Sequence, residues 1–253
     1  MSRNTFWEAT SSAVVARVRP DVTTSSMSGQ GDPVSGPRTR SGWSLVVRTP
    51  RKKEIVPTKA VYLLVVPGFA DWEPAHAVAE LRRQGHYRVA VVGLSSDPVQ
   101  SMGGITVQPT RTVATVEPTD VAVFIVPGGD RWEKEPLEPG LTELLRILDH
   151  QSVPIAAICA ATAVIARVGL IRGRRHTSNG LSYLRKQVPG YADDSAYVDA
   201  PAVRDRGLIT ASGLGDVEFA SEIMAELDVL SAEGRKTWTK LFRSGRLPGG
   251  AAQ

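Results

Sequence analysis

The chain holds a single cysteine, Cys159, and its setting is the first place to look for chemistry. It follows the apolar run Ile155-Ala156-Ala157-Ile158 and precedes the helix-forming stretch Ala160-Ala161-Thr162, with no loop between. A cysteine at such a strand-to-helix corner projects its sulfur above the sheet. There the N-terminus of the next helix offers partial positive charge and N–H donors to a thiolate. Taken alone, these residues fit two readings equally: a nucleophile on an elbow, or a small hydrophobe closing a core strand. Two more corners carry chemistry-capable groups. Gly68-Phe69-Ala70-Asp71-Trp72-Glu73-Pro74 places the Glu73 carboxylate beside a proline suited to a first helical turn. Pro127-Gly128-Gly129 presents backbone without side chains, whose N–H groups can face an anion. The plainer alternatives are a solvated first-turn acid serving the helix dipole and two ordinary turn glycines. His76, Trp72 and Trp132 lie beside these corners as pocket walls or as rim and core packing.

The elements that must position these groups read as alternating strands and helices. Ala60–Val66 and Val121–Val126 are continuous apolar runs, each ended by Pro-Gly, the pattern of strands buried on both faces. An amphipathic helix is expected over 74–84 and a strand over 87–92. Leu141, Leu144, Leu145 and Leu148 mark one face of another helix. The strand at 155–158 runs into a helix over 160–168 that ends at Gly169. Between 93 and 115, Asp97-Pro98 and Gly103-Gly104 punctuate a short hairpin excursion. Further on, a short strand is expected near 175–178, a helix from Leu181, strands around 197–203 and 208–211, a helix over 216–230 capped by Asp216, and a last helix near 232–242. Such alternation implies right-handed crossovers and a mostly parallel sheet. The fold class is therefore α/β, and ligands belong beyond the carboxyl ends of the strands, where the three corners lie.

Composition narrows the function classes. The chain has 253 residues, 42% hydrophobic and 22% charged, enough to bury a core. No apolar run approaches the roughly 20 residues needed to span a bilayer, so a cytoplasmic chain without membrane contact is expected. One cysteine and four histidines without zinc-site spacing exclude a disulfide framework and a structural zinc site. No phosphate loop or dinucleotide fingerprint is present. Metal and cofactor are both expected to be absent. Residues 1–57 hold 9 Lys/Arg against 4 Asp/Glu and are rich in Ser, Gly and Pro, which reads as a disordered basic tail. Arg51-Lys52-Lys53 within it is a short solvated basic run rather than a nucleic-acid site. Residues 58–232 are expected to form the α/β domain, and 233–253 a C-terminal helix with a frayed end.

The blocks Gly68–Glu73, Val126–Gly129, Ile155–Ala160 and Gly207–Glu226 together resemble the ThiJ/PfpI superfamily. This superfamily includes the parkinsonism-associated protein deglycase, intracellular protease/amidases and glutamine-amidotransferase-like proteins. The resemblance covers roughly 59–230 and leaves the tail outside. It implies a flavodoxin-like three-layer α/β/α sandwich with a Cys nucleophile elbow, a homodimer, and roles for matching positions. Cys159 would be the nucleophile, and Glu73 the carboxylic acid that bonds it and shuttles a proton. Gly129 and Ala160 would line an oxyanion hole, with Gly128 shaping that loop.

The departures matter as much. No His-x-Glu follows His176, so the Cys-His-Glu set of glutamine hydrolysis is missing. The protease-like branch has a histidine directly after the cysteine, where this chain has Ala160. The deglycase branch has one about twenty residues on, where this chain has Asn179. Asn179 can orient a substrate or a water but cannot act as a base. His176, three residues earlier, is an auxiliary candidate, or else a satisfied strand-end histidine. Ser101 stands where some relatives carry a second cysteine, which removes a resolving thiol. The resulting expectation is a cofactor-independent cysteine enzyme, of hydrolase/amidase or glyoxalase/deglycase type, acting on a small electrophilic carbonyl or amide. The alternative is a redox sensor or stress-protective protein working through oxidation of Cys159.

Overall fold

The computed structural model describes residues 58–246, all within one compact unit, Val56–Gln253. The expected tail over 1–57 and the end of the chain lie outside the described residues. The strands are β1 (Ala60–Val65), β2 (Val89–Gly93), β3 (Val99–Gln100), β4 (Thr106–Val107), β5 (Arg111–Thr112), β6 (Val121–Val126), β7 (Ile155–Ile158), β8 (Ala202–Asp205) and β9 (Leu208–Ala211). The helices are α1 (Ala75–Arg83), α2 (Arg131–Lys134), α3 (Pro139–His150), α4 (Ala161–Val168), α5 (Leu181–Gln187), α6 (Asp216–Glu226) and α7 (Ala232–Ser244).

A seven-stranded sheet runs in the order β5-β2-β1-β6-β7-β9-β8. It is parallel except for β8, which closes one edge antiparallel to β9. β3 and β4 form the separate antiparallel hairpin expected between 93 and 115. The two-residue alternation of a strand sends neighbouring side chains to opposite faces, and both faces are covered. Tyr62, Leu64, Phe124, Val126, Ile155 and Ala157 pack with Leu141, Leu145, Val164 and Ile165 of α3 and α4. Val61, Val123, Ile125, Ala156 and Ile158 pack with Ala77 and Leu81 of α1, Phe219 and Ile223 of α6, and Trp238 of α7. Burial on both faces explains why these strands read as unbroken apolar runs.

Several boundaries differ from expectation. Residues 175–178 form no strand; His176 makes one isolated bridge to Tyr197, because Thr177 N–H goes to the Thr210 hydroxyl instead of a ladder partner. The strand expected around 197–203 is displaced to β8. Helix α6 stops at Glu226, since Asp228 and Leu230 take left-handed backbone at φ 54° and 63°. Its N-cap is Gly215, and Asp216, the first helical residue, turns its carboxylate to His76 at 3.5 Å. Helix α2 is four residues long and carries no apolar periodicity that would mark it in the sequence. Among the described residues no helix is long and apolar enough to cross a membrane.

Candidate active site

Four neighbouring strands, β1, β6, β7 and β9, end on one spot above the sheet, and the residue following β7 there is Cys159. Its N–H donates to Ala211 of β9 at 2.9 Å, the last bond before the chain turns. The turn itself is left-handed backbone at φ 59°, a conformation that costs a non-glycine residue about 1 kcal/mol. The corner is fixed from behind by Thr162, whose hydroxyl donates to the Cys159 carbonyl at 2.6 Å and lies 2.5 Å from the Ser178 hydroxyl.

Glu73 arrives from the loop after β1 and is 1% exposed. Its Oε2 accepts from Gly128 N–H at 2.6 Å, and its carboxyl is hydrogen-bonded to the Cys159 thiol. Burial raises the Glu73 carboxyl from 4.5 to about 7, against the lowering bonds from Gly128 and Cys159, and the Asp216 charge adds to the rise. Burial also pushes the Cys159 thiol from 9.0 to about 11, helped by the Glu73 charge and opposed by donors on Asn179 and Ala160. The thiol is therefore not lowered by the helix N-terminus as expected, because burial and a carboxylate neighbour outweigh two N–H donors. Glu73 and Cys159 share a hydrogen bond, so between about 7 and about 11 the pair holds one proton between them.

Asn179 donates from Nδ2 to Cys159 Sγ at 3.2 Å, while its Oδ1 accepts from Gly213 N–H at 2.9 Å. The backbone donor fixes the amide orientation, so it is the NH2 end that meets the sulfur. Gly213 follows β9 and leaves room for this contact: a Cβ there would lie 2.9 Å from Cys159 Sγ. A Cβ on Gly128 would lie 2.7 Å from the Cys159 Cβ and 2.8 Å from Glu73 Oε2.

The structure brings Cys159, Glu73, Gly128, Gly129, Ala160 and Asn179 to one place. The Gly128 N–H is spent on Glu73, so it is not an oxyanion donor. The N–H of Gly129 has no acceptor among the described residues, and that of Ala160 faces the sulfur. His176 is not brought to the site. It is buried, with Nδ1 2.7 Å from the Arg174 carbonyl, Nε2 2.7 Å from the Tyr191 hydroxyl, and its ring edge-on to Tyr191 and Tyr197. With both nitrogens occupied it is a packing residue and not an auxiliary base. His76 faces Asp216, Trp238 and Phe242. Trp132 is buried with its indole N–H on the Pro127 carbonyl, whereas Trp72 is 49% exposed. Among the described residues no cluster of His, Cys, Asp and Glu could hold a metal ion.

Comparison with known proteins decides the family, because the sequence profile described as the DJ-1/PfpI family matches residues 59–226. The chain belongs to the DJ-1/PfpI family. A Bacillus subtilis member named "Uncharacterized protease YoaZ" is 33% identical over 194 residues, covering 74% of this chain and 92% of that protein. The crystal structure of a DJ-1 superfamily protein from Agrobacterium tumefaciens superposes with a TM-score of 0.68 at 31% identity, covering 74% of this chain and all of that one. A member from Pyrococcus abyssi named as a deglycase is 26% identical over 162 residues, covering 62% of this chain and 92% of that protein. The α/β fold is that of the DJ-1 superfamily, and relatives carry protease and deglycase names. Within this DJ-1/PfpI member, sequence reasoning passed over Gly213, Tyr183 and Glu133. Gly213 had a readable signal, as a glycine directly beyond a buried strand; Tyr183 and Glu133 had none.

Proposed function

We propose that the protein is a cofactor-independent cysteine enzyme that acts on a small electrophilic carbonyl or amide, with Cys159 as nucleophile and Glu73 as proton shuttle. The single observation that carries this is the buried Glu73 carboxyl bonded to a sulfur held on a left-handed strand-to-helix corner, the geometry of a nucleophile elbow. In the one-proton state of the pair the Glu73 carboxyl is ionised and the sulfur carries the proton, so Glu73 takes that proton as the sulfur attacks. The sulfur forms a bond to the substrate carbon as the carbonyl π pair moves onto oxygen, where Gly129 and Ala160 N–H groups receive it. Glu73 then gives its proton to the departing nitrogen or to the oxygen, and water releases the product. With Asn179 in place of a histidine, proton transfer falls to Glu73 alone. Products are an acid and an amine from an amide, or a hydroxy acid from an α-oxoaldehyde, in which case Glu73 also carries the carbon-bound proton of the thiohemiacetal to the neighbouring carbonyl carbon, giving a thioester that water hydrolyses.

The Glu73 carboxyl also favours a second reading, oxidation of Cys159 by peroxide, since the same group would bond a sulfinate oxygen. A homodimer in the cytoplasm belongs to the proposal. Asp71 holds two loops together through bonds from Ser101 Oγ and Gly103 N–H, and exposed Trp72, Met102 and Ile105 on those loops supply apolar surface that such an association would cover. The test is a turnover screen with methylglyoxal, small amides and peroxide on the wild type and Cys159→Ser. Turnover lost in the variant is expected, and undiminished turnover would overturn the reading.

A further inference from the structure

One carboxylate at the mouth of the site is used by none of the chemistry above. Helix α2 starts two residues after Gly129 and helix α5 two residues after Asn179, so both rise from loops that face the sulfur. Glu133 on α2 and Tyr183 on α5 meet between them, the Tyr183 hydroxyl donating to Glu133 Oε1 at 2.8 Å. Tyr183 packs on the same core cluster as Cys159 and lies close enough for charge on the sulfur to bear on its phenol. A phenol has one proton, and this one is spent, so towards a substrate Tyr183 can only accept.

The charge on Glu133 is held in no direct ion pair, although Lys134 beside it feels that charge. Its neighbours on the same helix are engaged elsewhere, Arg131 with Glu135 and Glu138, and Lys134 with Asp130. Arg167, the other cation near Tyr183, is tied by its hydrogen bonds to the carbonyls of Trp132 and Gln187 and offsets part of the negative charge without bonding to Glu133. Among the described residues Glu133 has no ion pair and receives only the Tyr183 proton. The other acids around the site are occupied: Asp71 takes bonds from Ser101 and Gly103, and Asp216 pairs with His76. With a substrate oxygen seated at Gly129 and Ala160, a substituent reaching out of the mouth meets an acceptor and a negative charge.

We infer that Glu133, with Tyr183 fixed against it, is the specificity-determining pair of the Cys159 site and selects electrophiles that carry a hydrogen-bond donor or positive charge, such as an amino or amidino group, beside the reacting carbon. The inference rests on the cysteine reading above, and its test separates the two. Cys159 is labelled with three methanethiosulfonates of similar size: methyl, 2-aminoethyl and 2-sulfonatoethyl. In each case a mixed disulfide forms on Cys159 and methanesulfinate leaves. Rates are read by intact mass at neutral pH and divided by each reagent's rate with 2-mercaptoethanol. The wild type is expected to favour the cation over the anion by about tenfold, the effect of one nearby charge partly screened by water. Glu133→Gln is expected to lower that ratio at least threefold, with the remainder set by Glu73 beside the sulfur, Tyr183→Phe to lower it by less, and Glu135→Gln to leave it in place. A wild-type ratio near one, a ratio unmoved by Glu133→Gln, or an equal loss in Glu135→Gln would overturn the specificity assignment alone. A Cys159 that the neutral reagent cannot label would overturn the cysteine reading, and this inference with it.

Discussion

Replacing Glu73 with glutamine should make the protein more stable, and by an amount that depends on pH in a defined way. In the folded chain the carboxyl titrates at about 7 instead of 4.5, chiefly because it is buried. The folded state therefore holds this proton more tightly than the unfolded state, and stability falls as pH rises from 4.5 to 7 and is level above that. At about 1.4 kcal/mol per pH unit, the full cost of keeping Glu73 ionised is about 3 kcal/mol by pH 8. Glutamine has the same shape, and its carbonyl oxygen can accept from Gly128 N–H as Oε2 does now, but it never ionises. Urea denaturation of both proteins at pH 4.5, 6, 7 and 8 reads the difference. Glu73→Gln should exceed the wild type by less than about 1 kcal/mol at pH 4.5 and by about 3 kcal/mol at pH 8. Shifted groups elsewhere, such as Asp194 and Asp205, are common to both proteins and cancel. A difference that does not change with pH, or a wild type that is the more stable at pH 8, would refute the reasoning.

Two substitutions separate the site from its surroundings. Gly213→Ala puts a methyl 2.9 Å from Cys159 Sγ, so alkylation of Cys159 by iodoacetamide should slow at least about tenfold while stability read by urea denaturation falls by about 1 to 3 kcal/mol; an unchanged alkylation rate would show the approach is not tight. His176→Phe removes both ring-nitrogen bonds in a buried place and should cost about 2 kcal/mol of stability while leaving the pH profile of Cys159 labelling where it is, and a displaced profile would return His176 to the site.

The parallel core was legible in the sequence because strands buried on both faces leave long apolar runs, and Ala60–Val65, Val121–Val126 and Ile155–Ile158 are such runs. The edge was less legible. His176-Thr177-Ser178 has strand-like residues, yet its bonds go to the hydroxyl of Thr210 and the carbonyl of Ala200, which sit more than twenty residues away. Helix α6 ends early through left-handed residues, Asp228 and Leu230, that helical spacing of leucines cannot reveal. At the site, Cys159, Glu73 and the glycine corner could be found because each ends a strand that the sheet sets side by side. The ionisation of the pair could not, since the burial that raises both groups comes from packing by four separate strands and their loops. Nor could the meeting of Tyr183 with Glu133, fifty residues apart on two short polar helices.

The measurement that bears most directly on the shared-proton pair is the rate of Cys159 alkylation by iodoacetamide from pH 5 to 10, read by intact mass for the wild type and Glu73→Gln. With the Glu73 carboxyl ionising at about 7 and the Cys159 thiol at about 11, the wild type should label slowly through neutral pH and rise steadily up to pH 10. Glu73→Gln removes the charge that helps to raise the thiol, so its rise should come at lower pH than that of the wild type. Superimposable profiles for the two proteins, or a Cys159 inert across the whole range in both, would contradict the account.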